Sequence, residues 1–425
     1  MVAAGGAASA ALLVGVAASA QTAPPPAAPP AAPAAEPAPP APPVAAAPAT
    51  AVPPAPPPPA GPPAAAVPPA PTLPVDEAPP PPAPAAEDPG KKPIDVHAWG
   101  RIGSRLQSLK HPKNMNRIFE DGDFEIHLDG NVTKEIGLTA NGAATFGPTA
   151  TGGDIQGTFS ILDLIARFDI ADAFHIWGGR MLVPSDRANF SGSWFEAPWY
   201  YPGTYSSHGF IGPHEGPYGR NDGATVWGQF EGGLFKYYLS AFDVWNSASR
   251  PLMSARVNLS LLNPEPGYYH SSTYYGKDIL AIGVGAQYQK NGSAVPATAT
   301  TPGVVDNYSE INADVLFEKE LSGSGTVDVE GAFYGYGGDY EPFKYSYLAL
   351  ASFLLPDKVG PGYLQPLVRL QSAKARATDK MDTSIEAQIG YPIAQYGARL
   401  AFGYQHTDNS GVPGNALYLG AQILK

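Results

Sequence analysis

From Phe124 to the last residue the chain repeats one pattern: about ten residues alternating apolar with polar, a short polar turn, then another ten. The clearest stretches set Ile136, Leu138, Ala140, Gly142, Ala144 and Phe146 against Thr139, Asn141 and Thr145, and Ile311, Ala313, Val315 and Phe317 against Glu310, Asn312 and Asp314. Successive side chains of a strand point to opposite faces, so each segment has one apolar and one polar face. Repeated along one chain, the pattern predicts an all-β fold, a transmembrane antiparallel β-barrel that is apolar outside and polar inside.

Strands are expected at residues 96–106, 124–132, 136–146, 158–170, 174–182, 224–230, 235–242, 255–262, 280–289, 308–317, 327–334, 345–353, 364–372, 381–389, 398–406 and 417–424. They make about 16 strands, an even number as bacterial barrels have, and enough to enclose an aqueous lumen. Connections after even strands are mostly short: 133–135, 171–173, 231–233 and 391–396. Those after odd strands are longer, above all 183–222. The connection 263–277 breaks the rule, being long on the short-turn side.

A chain of 425 residues without cysteine and with a mean hydropathy of -0.14 holds no apolar run of the length a spanning helix needs. A barrel crosses lipid without one, because half of its strand residues face water. Lack of cysteine suits an oxidising compartment, and a net charge of -12 argues against a nucleic-acid partner. Residues 1–20 read as an export signal, with a small-residue cleavage site at Ala18-Ser19-Ala20 and no Lys or Arg before the apolar run. Residues 21–92 are almost entirely Pro and Ala, a disordered linker of extended character able to reach on the order of 200 Å, and a candidate tether to peptidoglycan. Residues 93–425 form the barrel.

The connection 183–222 carries Phe190, Trp194, Phe195, Trp199, Tyr200, Tyr201, Tyr205 and Phe210, too aromatic to stand free in water. It is expected to fold into the lumen, with Arg180, Arg187, Glu196, Glu215 and Arg220 forming a constriction. Pore-lining positions on the strands are Arg101, Arg105, Arg167, Arg369, Arg399, Glu125, Asp163, Glu310, Asp314 and Glu330, joined by Asp129, Asp169, Arg256, Asp328 and Glu386. Arginines gather near the strand closure and carboxylates on the tenth and eleventh strands, which sets up a transverse field. Strand-end aromatics, namely Trp99, Phe146, Phe174, Trp177, Tyr237, Tyr288, Phe317, Phe353 and Tyr404, are expected at the lipid-water boundaries. The eight histidines have no metal-ligand spacing and no nucleophile-elbow or phosphate-loop motif occurs, so neither a cofactor nor an enzyme activity is expected. His127 and Ser160 are the only candidates for a catalytic pair.

Three stretches, DGDFEIHLDGNV (121–132), ILDLIARFDIADAFHIWGGRMLVPSDR (161–187) and DGATVWGQFEGGLFKYYLSAFDVWN (222–246), resemble the phosphate-selective porin O and P family of Gram-negative outer membranes. The likeness centres on Gly179-Arg180-Met181-Leu182-Val183-Pro184, which matches the family's Gly-Arg-x-x-Val-Pro before its constriction loop. It implies a sixteen-stranded, commonly trimeric, passive channel. Two departures stand out: carboxylates are mixed among the arginines instead of an Arg/Lys ladder, and Lys425 holds the terminal slot where such barrels end in an aromatic residue.

The expectation is an outer-membrane porin passing small hydrophilic solutes and ions. The alternatives are a phosphate-type anion channel, a barrel that only anchors a wall-bound linker, and a secreted soluble β protein.

Overall fold

The computed structural model describes residues 94–109, 115–148, 155–192, 194–200, 219–243, 250–295, 303–409 and 411–425. The export segment, the Pro/Ala linker and Glu215 lie outside the described residues. Strands run in chain order as β1 (Ile94–Leu109), β2 (Met115–Asn131), β3 (Ile136–Pro148), β4 (Ile155–Ala171), β5 (Phe174–Leu182) and β6 (Arg220–Phe230). They continue as β7 (Phe235–Phe242), β8 (Leu252–Ser260), β9 (Ile279–Val295), β10 (Val304–Glu320), β11 (Thr326–Gly337) and β12 (Phe343–Leu354). A two-stranded hairpin, β13 (Lys358–Val359) and β14 (Gly362–Tyr363), decorates one turn before β15 (Gln365–Ala375), β16 (Met381–Pro392), β17 (Ala398–Asn409) and β18 (Val412–Leu424). Apart from that hairpin, the strands close into a single antiparallel barrel of sixteen, each paired to its neighbours in sequence, with β1 pairing β18 from Trp99↔Leu424 to Leu109↔Gly414. The terminal residue completes this closure through its backbone: Ala98 N donates to Lys425 O at 2.8 Å and Lys425 N to Ala98 O at 3.0 Å.

Turn chemistry follows from the residues. Between β2 and β3 the Thr133 hydroxyl accepts from the backbone N–H groups of Glu135 and Ile136, a side-chain substitute for a turn bond. Between β6 and β7, Gly233 takes φ +101°, and a Cβ there would lie 2.2 Å from the Glu265 carbonyl, so only glycine lets the two segments meet.

Alternation sorts the two faces. On β10, Tyr308, Glu310, Asn312, Asp314, Leu316 and Glu318 are buried inside, while Ile311, Ala313 and Val315 between them are exposed outside. The outward rows of other strands carry Leu239, Val368, Phe402 and Leu419, all more than half exposed. A closed sheet with its apolar side chains outside and carboxylates inside is the inverse of a soluble barrel, and hydrocarbon is the medium that makes the outer face stable. Ile311→Arg, in the middle of β10, is therefore expected to cost about 2–4 kcal/mol of folding into vesicles. A cost near zero would mean that this row does not face lipid.

Two of the boundary aromatics are not on that face. Trp177 is buried in the interior, and Trp99 turns inward to stack its ring 3.6 Å from that of His127. Phe146, Phe174, Tyr288 and Tyr404 do stand outside.

Candidate functional site: the filled barrel interior

Two connections, one from each mouth, occupy the lumen. The first leaves β5 on the long-loop side. The Asp186 carboxylate caps a single helical turn, α1 (Arg187–Ser191), by accepting from Asn189 N at 3.1 Å. The chain then crosses to the far wall, where side chains of six strands seize its main chain and one indole. Arg101 (β1) donates to the Trp199 carbonyl, Arg369 (β15) to the Tyr200 carbonyl at 2.7 Å, and Arg399 (β17) to the Glu196 and Ala197 carbonyls. Gln388 (β16) accepts from Trp199 N at 2.7 Å and donates to Ala197 O at 3.1 Å, and Gln422 (β18) donates to Trp194 O at 3.1 Å. The Trp194 indole donates to Glu125 at 2.6 Å.

The second segment, 261–278, enters from the short-turn side. This is the connection whose length broke the turn rule. It folds up to meet the first: Ala197 N donates to the Ser272 hydroxyl at 3.1 Å, and Ser272 N to the Phe195 carbonyl at 3.0 Å. The strongest link is Arg187 with Glu265, a fork of two 2.8 Å bonds between fully buried side chains. Ser260 and Tyr274 hydroxyls also donate to Glu265, at 2.9 and 2.6 Å. Burial alone would raise the Glu265 carboxyl, but Arg187 and His270 hold it well below the usual carboxylate range. Burial pushes the His270 ring well below the ordinary histidine value. Burial likewise raises the Glu196 carboxyl, to about 7, although Ser191 donates to it.

Around this junction Phe190, Trp177, Trp227, Tyr238, Phe242, Tyr268 and Tyr308 form an apolar core inside the barrel. Phe190 sits 5.0 Å from the Tyr238 ring and 5.1 Å, edge on, from that of Tyr268. One half of the lumen, from β4 to β10, is thus packed like a protein interior.

The positions read from the sequence divide accordingly. Arg187 and Glu196 lie on the first segment inside the barrel, and Arg220 reaches Asp163 at 2.8 Å. Arg180 does not join them. It stands on the outer face, beside the exposed Leu164 in register and 3.2 Å from Asp222, at the edge of an external groove that also includes Ile161 and Ala224. Assigning Trp177 to the lipid boundary inverts β5 by one residue, and in a structure of period two that reverses every side chain of the strand. Arg105 bonds Gln405 at 2.6 Å, and Arg167 bonds Asp129 at 2.6 Å. Arg256 and Asp314 form a buried bidentate pair at 2.7 and 2.9 Å; Glu310 accepts from Tyr308 and Asn312, both at 2.7 Å; Arg369 also pairs with Glu386. His127 bonds Glu125 at 2.9 Å. Among the described residues no group of three or more His, Cys, Asp or Glu has the geometry of a metal site. Glu265, Lys236, Tyr268 and His270 are central to the junction and were not singled out from sequence. The signal available was the anomalous connection itself, whose Pro-Gly-Tyr-Tyr-His content is as aromatic as the outer loop.

No protein-family profile and no curated protein matches this sequence. Solved structures do share the fold. A loop-deletion mutant of OmpT, an outer membrane protein of Vibrio cholerae, is 13% identical with a TM-score of 0.50, the match covering 79% of this chain and 100% of that one. OmpF of Salmonella typhi, in a complex with daunomycin, is 10% identical with a TM-score of 0.50, covering 78% of this chain and 97% of the other. At such identities the likeness is one of architecture: this chain has the sixteen-stranded barrel of outer-membrane porins.

Proposed function

We propose that this protein is an outer-membrane porin of a Gram-negative bacterium, a passive route for small hydrophilic solutes and ions with no cofactor and no catalytic step. The observation that carries the reading is the closed barrel that is apolar outside and charged inside, crossed by a segment from the long-loop side. Segment 183–222 then sets the size limit, with Arg187, Glu196, Glu215 and Arg220 as its charged groups. Because a second segment also fills the lumen, conductance should be small for a sixteen-stranded barrel. Deleting residues 191–212 is expected to raise single-channel conductance in planar bilayers, and an unchanged conductance would remove this segment as the constriction.

Phosphate-type selectivity, implied by the motif resemblance, gains no support from the arginines. Arg101, Arg369 and Arg399 hold main-chain carbonyls, and Arg167, Arg187, Arg220 and Arg256 hold carboxylates. A homotrimer and a peptidoglycan tether through residues 21–92 accompany the proposal, to be read from the mass of the detergent-extracted particle and from co-sedimentation with cell wall.

A further inference from the structure

The arginine of the Gly-Arg-x-x-Val-Pro run has no part in the lumen. The outward rows of β5 and β6 rise through Phe174, Ile176 and Gly178 and through Phe230, Val226 and Ala224, and they end in Arg180 and Asp222, which are paired in register. Both residues stand two positions from the long-loop ends of their strands, at Leu182 and Arg220. The wall is also low here: β5 to β8 have 9, 11, 8 and 9 residues, against 17 each for the flanking β4 and β9. The charged pair therefore caps the apolar band where lipid head groups begin, a depth at which an outward charge costs little. With Ile161, Leu164, Gly179, Gly223, Ala224 and Ala241 it lines a groove of about 670 Å3 on the outer face. Four of those six positions are glycine or alanine, so the protein itself leaves the groove unfilled.

Asp222 takes only one nitrogen of the guanidinium. Arg180 Nη1 donates to both carboxylate oxygens, each at 3.2 Å, and Nη2 keeps its N–H groups for another acceptor. The two side chains are 29% and 46% exposed, within reach from outside. An occupant of this face must bring an apolar chain and, at the same end, an anionic acceptor for the arginine and a donor for the aspartate. A second copy of the wall does not bring them, because its outer rows are apolar, as at Leu239, Val368, Phe402 and Leu419. Nor does a three-fold assembly contain the two-fold axis that would set this pair against its own copy. We infer that the groove binds a phosphate-bearing, acylated lipid of the leaflet on the long-loop side. An acyl chain lies in the groove, a phosphate accepts from Arg180, and a head-group hydroxyl or amide N–H donates to Asp222. The site rests on the outer-membrane setting of the reading above and not on conduction.

The full chain in detergent is the test material, titrated with lipid A, a doubly phosphorylated, acylated glucosamine disaccharide. The midpoint of its heat-induced gel shift should rise by several degrees with lipid A and stay in place with the dephosphorylated lipid or with inorganic phosphate. Arg180→Gln should remove most of the rise. So should Ala224→Leu, which fills the groove with a side chain that the outer face carries elsewhere. Equal stabilisation by the two lipids, a rise with phosphate alone, or a rise that neither variant reduces overturns the proposal. A particle that Ala224→Leu splits into single chains, with its lipid response unchanged, overturns it too and makes the groove a contact between copies. The two readings fail separately. A barrel that conducts nothing yet keeps the response to lipid A removes the porin and leaves the site, and one that conducts but ignores lipid A removes the site and leaves the porin.

Discussion

Glu265→Ala is expected to unlatch the two segments inside the barrel at a cost of about 3–5 kcal/mol, because it leaves the buried Arg187 guanidinium with only the Ser271 carbonyl at 2.9 Å and, 4.0 Å away, the Asp314 carboxylate that Arg256 already holds. The loss should be local. The sixteen strands keep their hydrogen-bond ladders, so the heat-induced shift in gel migration persists while protease cleavage within 183–200 and 261–278 rises. Single-channel conductance should rise with it. The companion experiment is Arg187→Met with Glu265→Met: replacing both charges by apolar side chains of similar volume is often close to neutral, so much of the loss should be recovered. If the double variant is cleaved as readily as Glu265→Ala, the latch is not what joins the segments. The pH dependence has a definite sign. A carboxyl whose folded-state pKa is depressed contributes stability that is present above its unfolded pKa and lost as pH falls through the folded value. With Glu265 held well below the ordinary range, the latch should persist into distinctly acid solution.

Phe190→Ala should cost a similar amount, about 3–5 kcal/mol, for a different reason. Its ring is 1% exposed and packs against Tyr238, Tyr268 and His270, with the Arg256 guanidinium 5.9 Å from its centroid. Removing it opens a cavity where the outer segment, the inner segment and the wall meet. Phe190→Leu refills most of that volume and should recover most of the loss. If protection of residues 183–192 from hydrogen exchange is unchanged in Phe190→Ala, the apolar core does not hold this segment.

The barrel itself was legible because its signal is repeated and has a short period. Each of the sixteen expected stretches coincides with a strand of the closed sheet, from residues 96–106 in β1 to 417–424 in β18. The face of a strand was readable wherever its apolar row was pure, as at Ile311, Ala313 and Val315. It failed on β5, where the row Phe174, Ile176, Gly178, Arg180 competes with His175 and Trp177. A tryptophan suits a lipid boundary and an interior cluster equally well, and nothing local to β5 reveals that Trp227 and Tyr268 await it inside. The arginines at 101, 369 and 399 were legible as inward-facing, but their partners were not. A carbonyl exists at every residue, so which one a guanidinium will meet depends on the path of a segment far away in sequence. Glu265 was obscured for the same reason, since its partner lies seventy-eight residues away.

The first and last strands of this barrel meet at β1 and β18, and the segment 194–199 lies across that seam on the inside, bonded to Arg101 on one side and to Gln422 and Arg399 on the other. It is a strap over the joint. Its anchors on β1 and on β17 and β18 lie side by side only when the two ends of the sheet are paired, so the strap is fully fastened only in the closed ring. Parting the ring at its joint requires the strap to be unfastened first.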